Sequence, residues 1–183
     1  MQQAETILAN LRAGWEFVQW TDRRMLRAAR SVPSEAEYHE PRGISHGSVH
    51  AMLLHMMTAQ ADWLQTWDGG RNSVPDLSSA ARPDLASIEQ AWPAVHGAVT
   101  NFLSSVLPSE LHRPVHFTRR GNTIVLPLYE SIAHMLDHCA YHRGQLNTLV
   151  KLAGGRRVWM SYWVYALRLH PQESGVKDTD FLD

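Results

Sequence analysis

Residues 134–146 read HMLDHCAYHRGQL and set His134, His138 and His142 four residues apart. Side chains at i and i+4 share one face of an α-helix, roughly 5–6 Å apart. Two imidazoles so placed can reach one metal ion, as in zinc helices that carry His at that spacing. Three cannot, because the Cα atoms of 134 and 142 lie about 12 Å apart along the helix axis. One adjacent pair binds, 134/138 or 138/142, and His138 belongs to both. A third ligand has to come from elsewhere in the chain.

At about 100° per residue, Ile132, Met135, Leu136, Cys139, Leu146 and Val150 form the apolar arc of this helix. His138 and His142 flank that arc, while His134 lies nearer the polar side. The pair 138/142 is therefore the better buried. An upstream helix offers His46, His50 and His55. Burial favours His50, which falls inside its apolar arc. A flank position that leaves coordination sites open favours His55. Periodicity leaves the choice open.

Neighbouring residues carry weaker expectations. Asp62 follows His55 by two turns, where it orients a ligand, acts as a base or is simply solvated. Gln145 shares a flank with His138 and is placed to hydrogen-bond it. Arg143 faces the apolar arc, where a buried charge demands a partner, and an ion pair is expected. Trp63 is expected in the core. Cys139 points into the apolar arc as a small packed residue, not a nucleophile. His39, His96, His112, His116 and His170 fit no ligand spacing and are assigned to surface or packing.

Four long amphipathic segments must position these residues. The first spans 3–30, with Ile7, Leu11, Trp15 and Val18 on one stripe, and closes before Pro33. The second spans 45–68, with Val49, Met52, Leu53, Met56, Trp63 and Trp67 in helical register, and stops at Gly69 and Gly70. Residues 69–84 read as a surface connection. The third helix covers 85–106, with Pro93 inside it. Residues 112–128 predict a short β-hairpin around Gly121-Asn122. The fourth helix covers 127–153, a short helix follows within 158–170, and 171–183 form a polar tail. The expectation is an all-α four-helix bundle over 1–170 with a hairpin insert before helix four.

Composition narrows the classes. A net charge of −1 with scattered Lys and Arg argues against nucleic acid as a partner. One cysteine excludes an intrachain disulfide. The opening residues lack the basic and apolar regions of a secretory leader, and no window is apolar enough to span a bilayer, so a cytoplasmic protein is expected. No Glu-x-x-His is present for a di-iron bundle, no His-Glu-x-x-His for a zinc protease, and no Cys-x-x-Cys-His for attached haem.

The chain resembles the DinB/YfiT-like bundle proteins. Their second helix carries a His followed eight residues later by Trp, matched here by His55 and Trp63 in LLHMMTAQADWL. Their fourth helix closes with H-x-x-x-H-R-G-Q, matched by His138, His142, Arg143, Gly144 and Gln145 in HCAYHRGQ. The resemblance covers about residues 3–170. It implies an up-down-down-up bundle, commonly a homodimer, in which His55, His138 and His142 hold one divalent metal such as zinc or nickel. It also implies a small-molecule substrate and a low-molecular-weight thiol as co-substrate, transferred to an electrophile. Tyr141 stands where many members have another His.

Three neutral imidazoles leave a divalent ion its full charge and an open position. Such an ion deprotonates a coordinated thiol or lowers the pKa of water to about 7. Thiol transfer is the leading expectation. A metal-dependent hydrolase and a non-catalytic, metal-binding stress-response protein are the alternatives.

Overall fold

The computed structural model describes residues 2–170. Leu8, Leu11, Trp15 and Val18 recur at helical spacing and are all buried, which gives α1 (Gln2–Ala29) its inward stripe. A short helix follows, α2 (Glu35–His39), begun by the Ser34 side chain accepting from the Glu37 amide. The sequence reading did not foresee it, since five residues are too few for periodicity to register.

The helix expected from 45 begins four residues later, as α3 (Val49–Asp68). Ser48 is its N-cap, accepting from the Ala51 amide at 3.0 Å. Residues 40–48 form a loop instead, with left-handed backbone at Gly43, Ser45 and Gly47. Gly69 closes α3 in the left-handed conformation, as expected of a glycine after the last turn. Next comes α4 (Leu85–Ser105), opened by a reciprocal Asp84–Ser87 capping box and running on past Pro93.

The hairpin pairs β1 (Pro114–Arg119) with β2 (Asn122–Pro127). Arg119 lies opposite Asn122, so the two-residue turn is Arg120-Gly121, one position earlier than expected. Both turn residues have positive φ, 50° and 77°, the geometry that matches the twist of a tight hairpin. The chain then enters α5 (Leu128–Leu152) and ends in α6 (Tyr162–Leu169). The expected tail at 171–183 lies outside the described residues.

Pairwise contacts give the helix directions. On α1 and α4, Arg12 meets the Leu103 carbonyl and Arg30 meets Glu89, so the two run antiparallel. On α3 and α5, His55 meets His142 and Trp63 meets His134, again antiparallel. Gln60 with Trp92 and Trp67 with Phe102 make α3 and α4 parallel. Gly14 with Leu136 and Thr21 with Arg143 do the same for α1 and α5. The bundle is therefore up-down-down-up, as expected, and the long 69–84 connection carries the chain between two parallel helices.

Two apolar clusters fill it. One gathers Met25, Met52, Met56, Trp92 and Leu146; the other gathers Trp15, Leu64, Phe102, Leu128 and Ile132. A buried polar knot ties the four long helices together. Asp22 Oδ2 lies 3.0 Å from His96 Nε2 and accepts from Gln60 Nε2 at 2.8 Å. The Gln60 carbonyl oxygen accepts from the Trp92 indole at 2.8 Å, and Cys139 Sγ lies 3.7 Å from Gln60 Nε2. His96 thus has a specific buried partner that its position in the sequence did not reveal. No described helix is long and apolar enough to cross a membrane.

Candidate metal centre

The antiparallel packing of α3 on α5 places His55 level with the 138/142 turn. His142 Nε2 lies 3.2 Å from His55 Nε2 and 3.0 Å from His138 Nε2. Nitrogens held about 2.0–2.1 Å from one ion at tetrahedral angles lie about 3.3 Å apart, so the spacing fits a shared ion. His142 is buried and the other two are half-buried.

Of the two candidates on α3, His55 lies beside His138 and His142 and His50 does not. His50 turns away, with Nδ1 3.3 Å from the Tyr38 hydroxyl and its ring against His39. His134 stays exposed, its ring edge-on to Trp63. His46, on the 40–48 loop, stacks on His55 with centroids 3.7 Å apart and planes 18° apart. Its donor nitrogen, with those of His55 and His142, falls within a sphere of contact that could hold a metal ion. Spacing alone could not single out His46, because a loop has no period.

Gln145 contacts a different ligand from the one expected. Its carbonyl oxygen accepts from His142 Nδ1, not from His138, at 2.7 Å, and from the Ser45 hydroxyl at 2.7 Å. A carbonyl oxygen carries no proton, so the proton of neutral His142 sits on Nδ1. That leaves the Nε2 lone pair aimed at His55 and His138. Ser45 adopts φ 48° in the loop that carries His46.

Burial, reinforced by the neighbouring imidazoles, pushes His55 and His138 down to about 4. Burial also lowers His46, with His142 adding to the effect. His46, His55 and His138 are thus held toward the neutral form that coordination would require.

A cavity of about 540 Å³ opens beside His55 and His138, walled by Trp63, Phe117, Ile124 and Leu126. Trp63 is thus a cavity wall stacked edge-on to Phe117, where the sequence reading placed it in the core. The hairpin before α5 supplies three of these four wall residues. Asp62 and Arg119 also face the cavity, and partial desolvation pushes the Asp62 carboxyl up. Cys139 lies behind the site, where burial pushes its thiol up to about 12, consistent with a packed residue and not a nucleophile. Among the described residues Arg143 makes no direct ion pair: it donates to Thr21 Oγ1 at 3.2 Å and lies 4.9 Å over the Phe17 ring, with the Asp22 charge nearby.

The arrangement can hold one divalent ion on imidazole nitrogens and present it to an apolar cavity. Comparison with known proteins agrees with the resemblance seen in the sequence. Protein DinB of Bacillus subtilis (strain 168) is 19% identical over 160 residues, 82% of this chain and 90% of its own length. The profile of the DinB family matches residues 2–173. With nearly the whole chain matched, this protein belongs to the DinB family.

Proposed function

We propose that this protein is a metal-dependent enzyme acting on small molecules, in which His55, His138 and His142 hold one zinc or nickel ion. The reaction is transfer of a low-molecular-weight thiol to an electrophile. The observation that carries this reading is the convergence of three imidazoles at the mouth of a partly apolar cavity. Bound there, the ion supplies Lewis acidity that favours the thiolate form of a thiol reaching it.

The chain's own groups do the rest. Gln145 holds the Nδ1 proton of His142 and keeps its Nε2 lone pair inward. Trp63 and Phe117 enclose the apolar part of the electrophile and exclude water around the reacting carbon. His46 covers the outer face of His55. His46 is also close enough to His55 and His142 to reach the same ion, and His138 is the third ligand proposed here on its 3.0 Å approach to His142.

Hydrolysis is a second reading, favoured by Asp62, whose partly desolvated carboxylate faces the same cavity and is placed to take a proton from attacking water. The test begins with elemental analysis of untagged protein, wild type and His138→Ala. About one equivalent of zinc or nickel, lost in the variant, is expected for a three-histidine site. Mass spectrometry then follows conjugation of small thiols to hydrophobic electrophiles, which His142→Ala should abolish. Metal binding with neither conjugation nor hydrolysis would leave a non-catalytic metal-binding bundle.

A further inference from the structure

On the opposite side of α5 from the histidines lies a larger groove, about 880 Å³. Ala140, Gly144, Asn147 and Lys151 form its floor, about 190° around the helix from the 138/142 pair. Residues 155–162 form the facing wall and contribute Arg156, Arg157, Trp159 and Tyr162. Arg143 reaches in from the floor, and Phe17 of α1 closes one end.

Three observations set this groove apart from an ordinary surface dip. Among the described residues its lining holds four cationic side chains, Arg143, Lys151, Arg156 and Arg157, and no carboxylate. Among the described residues none of the four forms an ion pair. Secondly, the wall is held in place. Asn147 clasps Val158 with two hydrogen bonds of 3.2 and 3.1 Å. The Arg156 amide donates to Ser31 Oγ at 2.7 Å, and Gly155 sits so close to Val150 and Ser31 that a Cβ would not fit. Thirdly, Gly144 is a poor helix former in the middle of α5, yet a Cβ there would meet nothing within 4 Å. Packing does not require this glycine, and its missing side chain leaves the floor of the groove open.

We infer that the groove binds a nucleoside phosphate. Guanidinium groups fork phosphate oxygens, and the exposed rings of Trp159 and Tyr162 offer faces for a flat base. The volume falls within the range of small-ligand sites, about 300–1,000 Å³. A second copy of this chain fits poorly, since a two-fold contact through the groove would set these cations against their own counterparts. A nucleic acid fits poorly as well, since the chain as a whole carries net charge −1.

The inference is independent of the reaction at the metal centre. Its test is isothermal titration of the full chain with ADP, adenosine and pyrophosphate. Saturable ADP binding is expected, tighter than either fragment. Arg156→Glu/Arg157→Glu should weaken ADP by about tenfold or more through loss of charge-assisted contacts. Trp159→Ala should weaken ADP and adenosine but not pyrophosphate. Gly144→Leu, which fills the floor without opposing the helix, should abolish binding while circular dichroism stays unchanged. His138→Ala should bind ADP as wild type does. The inference is overturned by absent ADP saturation at millimolar concentration, by pyrophosphate binding as tightly as ADP, or by binding that the groove variants leave intact. Loss of ADP binding in His138→Ala, or tighter binding of a single-stranded oligonucleotide, would equally overturn it.

Discussion

A single amide carbonyl fixes which nitrogen of His142 is free, and this makes Gln145 the most informative residue to change. Gln145→Leu should lower metal affinity about 10–100-fold, the usual effect of losing a partner that orients a ligand. Gln145→Glu, which keeps an acceptor for Nδ1, should retain it; competition with a chromogenic chelator separates the two. The histidines also set a pH dependence. Unfolded imidazoles titrate near 6.5, whereas burial holds His55 and His138 near 4 in the fold. Below about 6.5 the unfolded chain takes up protons that the folded chain refuses, so metal-free stability falls as pH drops toward 4. Melting temperature should therefore be lower at pH 5 than at pH 7.5, with a smaller drop in His138→Gln; equal drops would contradict the assignment. At this scale the closeness of His138 and His142 was legible because helical spacing reports which side chains share a face, and the approach of His55 to them only through the resemblance. His46 and the Ser45 contact were not, since a loop brings them in through backbone φ values that no period encodes.

Among the elements, the long helices were legible from their apolar stripes, with ends shifted by a few residues. The start of α3 moved because Ser48 caps it, satisfying an amide that His46 and Gly47 could not. The hairpin was legible too, but its turn was offset by one because register, not the glycine alone, selects the turn pair. Least legible was the polar knot of Asp22, Gln60, His96 and Cys139, one residue from each long helix, since a lone polar residue on a stripe does not announce its partner. Removing His96 leaves the Asp22 carboxylate buried, with the Gln60 amide still donating to it. His96→Ala should cost about 3 kcal/mol in urea denaturation, the scale for orphaning a buried charge. Exposed His112→Ala should cost less than about 0.5 kcal/mol.

For the molecule as a whole, both apolar clusters are built without the site histidines, so the bundle should stand without metal. Chelation is expected to leave helical circular dichroism intact and lower stability only by mass action, about 2.7 kcal/mol for a ligand present at a hundred times its Kd. Collapse of the helical signal on chelation would mean that the ion holds the fold together. The separation of the site in sequence has a further consequence. His55 and His142 stand 87 positions apart, and neither α3 nor α5 alone offers more than two of the three nitrogens. During synthesis a growing chain cannot assemble the full set until α5 has emerged and docked. Loading is therefore a property of the finished molecule, which can select among ions by geometry, while the nascent chain offers each passing ion only a loose, two-toothed grip.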